Sequence, residues 1–173
     1  MTLAKWPWIE RRFHFDFPPE KLPDLIERVR GTPLRIEAML AGLPEAKLSE
    51  SDGRGWSIKQ NIGHLIDLGY LPLKRIEQIL TGERALIAAD MSNRKTHEAS
   101  HSDTPIKVLI TEFKKERAAL VGRFESIPEQ DWGKSALHPR LKQPMRIVDV
   151  AYFDSEHDDY HLARIRELVR MIK

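Results

Sequence analysis

Asp154-Ser155-Glu156-His157-Asp158-Asp159-Tyr160-His161-Leu162-Ala163-Arg164-Ile165 is the stretch on which the reading of this chain turns. At about 3.6 residues per turn, successive side chains are about 100° apart around a helix. On that wheel Ile147, Val150, Ala151, Leu162, Ile165, Leu168, Val169 and Ile172 share one face, which predicts a helix from about Arg146 to Ile172. Asp154, His157, Asp158 and His161 fall on the same face. The stripe is therefore apolar for one turn, polar for two, and apolar again. A buried polar group costs roughly 1–3 kcal/mol unless it is satisfied. Four of them inside a core stripe require a metal ion, a water-filled pocket or a hydrogen-bond network.

Working outward, three more stretches carry helical spacing. One runs from about Glu20 to Gly42, with Leu22, Leu25, Ile26, Val29, Ile36, Met39 and Leu40 on its stripe. Gly31-Thr32-Pro33 interrupts it, so a kink or a restart with Thr32 as N-cap is expected. Another runs from about Ser57 to Leu80. Ser57 and Gln60 have capping-box spacing, Trp56 is placed to act as a hydrophobic staple, and Pro72 predicts a bend. The third begins near Thr104-Pro105, with Pro105 expected at the first helical position. Its stripe is Ile106, Leu109, Ile110, Phe113, Leu120, Val121 and Phe124, and Arg117 interrupts it. An arginine there is expected to snorkel out of the core.

Between these stretches lie two long connections. Residues 83–104 are polar and weakly periodic, a loop or a loop with one short helix, and residues 128–146 form the second. Residues 1–19 are irregular. The alternation of Phe13, Phe15 and Phe17 suggests an extended arm with one face packed down. The expectation is an all-α single domain over residues 1–173, a four-helix bundle over residues 20–173 behind an N-terminal arm.

Composition narrows the chemistry. The 173 residues include 28 Lys and Arg against 26 Asp and Glu, a net charge of +2, with the signs interspersed. This argues against a nucleic-acid surface. With no cysteine, disulfides, thiolate nucleophiles, iron–sulfur clusters and cysteine zinc sites are excluded. Met1 to Pro18 show no apolar signal-peptide region, and no apolar run reaches the ~18 residues of a membrane span. A soluble, cytoplasmic protein is expected, whose metal chemistry would fall to His, Asp and Glu.

Among the seven histidines, His157 and His161 lie one turn apart on the core stripe, spacing that suits two ligands of one metal. His64 lies on the flank of its own stripe, beside Leu68 and Leu71; a ligand and a boundary histidine are both open. Gly63 beside it allows a neighbouring group close approach. His97 and His101 have the same four-residue spacing but no apolar stripe, so they read as a solvated pair. His138 precedes a proline in a loop and could face the pocket or solvent, and His14 reads as structural. Asp154 and Asp158 could orient a histidine or act as general base, while Glu156 faces away from the core.

Several segments together resemble the DinB/YfiT-like superfamily of metal-binding four-helix bundles. They are Phe-Asp-Phe-Pro-Pro at 15–19, Gly-Thr-Pro-Leu-Arg at 31–35 and Leu-Ala-Gly-Leu at 40–43. Gly-Trp-Ser-Ile-Lys-Gln-Asn-Ile-Gly-His-Leu-Ile-Asp at 55–67, Leu-His-Pro at 137–139 and Glu-His-Asp-Asp-Tyr-His-Leu-Ala-Arg-Ile at 156–165 complete them. The resemblance covers nearly the whole chain. It implies one histidine ligand from the second helix and two from the last, here His64, His157 and His161. It also implies a divalent metal, commonly zinc or nickel, with water or substrate completing the shell, and in many members a homodimer.

Tyr160 stands where the YfiT-like branch carries a histidine, so that branch's substrate is not transferred. Three readings follow. The chain is a metal-dependent hydrolase acting on a small molecule, a metal-dependent S-transferase using a low-molecular-weight thiol, or a non-enzymatic ligand-binding bundle.

Overall fold

The computed structural model describes residues 6–172. The first five residues of the arm, on which part of the signal-peptide reading rests, lie outside the described residues.

Each long stripe becomes one rod of a bundle, and the breaks within the rods have local causes. The first rod is α1 (Leu22–Arg30) and α2 (Thr32–Leu40). Gly31 joins them in helical conformation, so the chain restarts as expected, but Thr32 does not cap. Its hydroxyl turns back to the carbonyl of Arg28 at 3.2 Å, the i−4 bond that competes with capping.

The second rod is α3 (Ile58–Asp67) and α4 (Tyr70–Leu80). The capping box forms as predicted: Gln60 N–H donates to Ser57 Oγ at 3.2 Å, and Ser57 N–H donates to Gln60 Oε1 at 3.0 Å. The bend lies at Leu68–Gly69 rather than at Pro72. Pro72 has no N–H for the carbonyl of Leu68 and its ring crowds that carbonyl. The turn before it therefore tightens, with Gly69 N–H on Ile66 O and Leu71 N–H on Leu68 O, both at 2.9 Å.

The first connection contains the short α5 (Arg94–Glu98). The third rod is α6 (Ile106–Glu125), and Pro105 sits just before it as N-cap, not at its first position. The second connection is more ordered than expected. It holds an antiparallel hairpin, β1 (Ser135–Leu137) with β2 (Pro144–Arg146), in the register Ser135 to Arg146. The fourth rod, α7 (Ile147–Ile172), follows directly.

The arm keeps its period of two. Phe13 is buried, Phe15 and Phe17 are half-buried, and His14 and Asp16 face solvent. His14 therefore has no place in the core, contrary to its structural reading. Side-chain donors strap the arm down. Gln143 reaches Phe13 O at 3.0 Å, and Arg146 reaches Phe15 O and Phe17 O at 3.1 and 3.0 Å. No helix among the described residues is long and apolar enough to cross a membrane.

The core divides in two. One cluster gathers Leu22, Ile26, Val29, Ile76, Leu120, Phe124, Ile147 and Val150. The other gathers Ile36, Met39, Ile58, Ile62, Leu109, Phe113, Leu162 and Ile165. The α7 residues that separate them in sequence are Asp154 to His161, so the polar interruption of the stripe lies between two oily layers.

Candidate metal centre

Three histidines meet in that polar belt. His64 on α3 and His157 and His161 on α7 are all buried, and each offers a ring nitrogen within 4.8 Å of the others. His161 Nε2 lies 3.2 Å from His157 Nε2. Two nitrogens each about 2.0–2.1 Å from a single zinc ion can be that far apart.

The neighbours of the rings decide their tautomers. The Asn61 amide nitrogen donates to the carbonyls of Trp56 and Ser57 at 3.1 and 2.8 Å, which leaves its oxygen to accept from His161 Nδ1 at 2.9 Å. His161 Nε2 therefore keeps its lone pair. The Thr96 hydroxyl donates to Asp67 Oδ2 at 2.9 Å, so its oxygen accepts from His64 Nδ1 at 3.1 Å. His64 Nε2 keeps its lone pair by the same logic. Such outer hydrogen bonds orient imidazole ligands and raise their basicity. Burial holds the His64 imidazolium down to a pKa of about 4 and pushes His157 well below its ordinary value. Both rings are neutral at pH 7, the form that binds metal.

His101 departs from its solvated reading. It is buried, and its Nε2 donates to Asp67 Oδ2 at 2.8 Å. Gly63 makes room for it: a Cβ at residue 63 would stand 2.2 Å from the His101 ring. His97 does face solvent, its ring 5.6 Å from Trp56.

Trp56 is not a staple, because Asn61 rather than an apolar residue occupies the partner position. Its ring instead covers His64 at 4.6 Å and stacks on His161 at 6.2 Å. Trp8 from the arm closes the other side, 4.9 Å from His157.

Arg117 does not snorkel. It is buried, with Nε and Nη2 donating to the two oxygens of Asp158 at 3.0 and 2.5 Å. Burial opposes its charge, but Asp158 and Asp154 outweigh burial and hold the guanidinium charged. Escape to solvent would strand Asp158, which is wholly buried, as an unpaired charge. Asp158 therefore spends both oxygens on Arg117. Asp154 Oδ2 lies 3.9 Å from Arg117 and has no hydrogen-bond partner. Burial raises its carboxyl above the ordinary range. Glu156 points away from the belt, to Arg28 at 2.6 Å.

The belt opens into a cavity of about 900 Å³ lined by His64, His157, His161, Asp154 and His138. His138 is buried beside Phe153, 5.3 Å away. Asn61, Asp67, Thr96 and Arg75 escaped the sequence reading, although part of the signal was there. Asn61, His64, Leu68, Leu71 and Arg75 succeed one another at three- and four-residue steps, one row down a helix face. Thr96 gives no local sign, because only the packing of α5 on α3 brings it in.

The chain belongs to the DinB superfamily, whose model matches residues 28–165. Its structure is similar to that of YfiT from Bacillus subtilis, described as a probable metal-dependent hydrolase with an unusual four-helix bundle topology. The TM-score is 0.77 at 19% identity, over 94% of this chain and 93% of that one. It is also similar to the mycothiol-dependent maleylpyruvate isomerase, with a TM-score of 0.67 at 17% identity, over 87% of this chain and 61% of that enzyme. This chain thus spans about three fifths of the isomerase. At such identities the likeness is one of fold. Comparison with curated proteins finds no match.

Proposed function

We propose that this protein is a metal-dependent hydrolase of a small molecule, with His64, His157 and His161 as the ligands of one divalent ion, zinc or nickel. The observation that carries the reading is the convergence of three buried imidazoles, two of them oriented by Asn61 and Thr96. Neutral imidazole suits both metals. Three protein ligands leave coordination open, as in catalytic rather than structural zinc sites. An ion held there would supply a Lewis acid able to polarise a carbonyl and to bring the pKa of water toward about 7.

The remaining work falls to the chain. Asp154 Oδ2, without a hydrogen-bond partner and raised in pKa, takes up the proton released from water as general base. Asp158 pairs with Arg117 and holds that cation in the belt. Trp8 and Trp56 restrict water around the histidines.

The cavity supports a second use of the same ligands. At about 900 Å³ it lies near the upper end of small-ligand sites. It has room for a low-molecular-weight thiol beside an electrophile, and a chain without cysteine takes its thiol from outside. In this S-transfer the thiolate sulfur bonds to the electrophilic carbon as the leaving group departs.

The test is a panel of activated esters, amides and alkyl electrophiles, assayed with and without added thiol, on protein stripped by chelation and reloaded with zinc. Turnover should require the metal, and Asp154→Asn should lower the hydrolytic rate by about 10²–10⁴-fold with metal content unchanged. Turnover indifferent to chelation would overturn the reading. Turnover that appears only with thiol would replace hydrolysis by transfer.

A further inference from the structure

One end of the cavity carries more positive charge than the chain itself neutralises. Arg75, buried on α4, spends Nε and Nη2 on the single carbonyl of Ile87 at 3.3 and 3.2 Å. Arg140, in the β1–β2 turn, donates Nη1 to Ile9 O at 3.1 Å, and its buried Nη2 has no partner. Neither arginine forms an ion pair with a carboxylate among the described residues. Burial lowers both guanidiniums, Arg75 to about 10, and each remains charged at pH 7.

Arg117 adds a third arginine, against the two carboxylates of Asp154 and Asp158, which leaves one positive charge in excess. A buried cation without a counter-ion is costly.

His138 adds a donor at the same end. The Leu141 N–H donates to its Nδ1 at 3.1 Å, so the neutral ring carries its proton on Nε2. That nitrogen is buried and has no partner. Arg75 and Arg140 both help burial keep the ring neutral, which places the three groups in one neighbourhood. Phe153 and Trp8 connect this end to the histidines. Arg75 lies 5.9 Å and Arg140 5.7 Å from the Phe153 ring, and Trp8 touches Phe153 at 5.0 Å and His157 at 4.9 Å.

We propose that Arg75, Arg140 and His138 Nε2 form a subsite for an oxyanion, so that the ligand of this cavity is a small molecule with a carboxylate or phosphoryl group on an apolar body. The guanidiniums supply charge-assisted donors and His138 a neutral one. Trp8 and Phe153 pack the apolar body and point its far end at the histidine cluster. The inference deepens the metal-dependent reading by naming the substrate class of that site.

The experiment is a calorimetric titration of the full chain with phenylacetate, phenyl phosphate and the neutral phenylacetamide, after chelation and again after zinc loading. Metal content is measured on each sample. With or without zinc, one or both anions should bind at least about tenfold more tightly than the amide, as charge-assisted donors imply. The tighter of the two identifies carboxylate or phosphoryl as the group preferred. Arg140→Gln and Arg75→Gln should each cut that preference severalfold at unchanged zinc content. Arg140 is only half-buried, so its variant carries the test if the Arg75 variant does not fold.

Equal binding of anions and amide overturns the subsite. So does a preference that survives both substitutions, or one that exists only with zinc, because the anion then sits on the metal. Loss of zinc uptake with the anion preference intact would instead overturn the metal reading alone.

Discussion

His157 and His161 stand four residues apart, and so do His97 and His101, yet the two pairs have different fates. The first pair lies on a continuous helix whose neighbouring turns are apolar. The bundle buries both rings and aims them at His64. The second pair straddles the end of α5, where the helical frame stops at Glu98. His97 stays in solvent, while His101 folds back over Gly63 and binds Asp67. Spacing is informative only where a helix carries it through. Where the frame ends, a histidine goes wherever a cavity and a carboxylate wait.

The sharpest way to break the comparison is to disturb the belt around the first pair. Asp158→Ala strips Arg117 of both its hydrogen bonds and leaves it only Asp154, 3.9 Å away. It should cost about 3–5 kcal/mol in denaturant unfolding, as loss of one member of a buried pair does. A cost under about 1 kcal/mol would mean that the belt is far wetter than its burial implies.

The second pair enters through Asp67, which receives both Thr96 and His101. Asp67→Asn should weaken metal affinity about 10–100-fold by competition titration, the usual effect of removing a group that orients a ligand. Unchanged affinity would reduce the Thr96–Asp67–His101 cluster to packing.

Acid should separate the buried rings by stability. His64 and His138 have folded pKa values lowered to about 4 and about 3, against 6.5 ordinarily. The unfolded chain therefore binds protons more readily between those values, and stability rises with pH there. The metal-free protein should hold its full contribution from these rings above about pH 6.5 and lose it as the pH falls toward 4. Denaturation midpoints at pH 7.5, 6 and 5 check this, and a flat profile would contradict the burial of both rings. The smallest effect belongs to His97→Ala. As an exposed substitution it should change stability by less than about 0.5 kcal/mol and leave metal uptake unaltered.

The four rods, the capping box at Ser57 and the alternating arm were legible because each rests on a local period or cap. The histidine trio was half legible. His157 and His161 followed from their stripe, whereas His64 sat on a flank, and the family resemblance singled it out. The rest depended on contacts distant in sequence. Arg117 reads as a snorkelling residue until Asp158, 41 positions later, is set opposite it. Trp56 reads as a staple until His64 and His161 arrive beneath its ring. Thr96 and Arg140 sit in connections without periodicity, and only the assembled bundle gives them partners or withholds them.

Equilibrium dialysis against zinc, followed by metal analysis of the wild type and of His64→Ala, His157→Ala and His161→Ala, tests the central claim most directly. The account predicts close to one ion per wild-type chain and near-complete loss in each variant, with all four proteins folded. A wild type that retains no zinc or nickel, or a histidine variant that retains as much as the wild type, would contradict it.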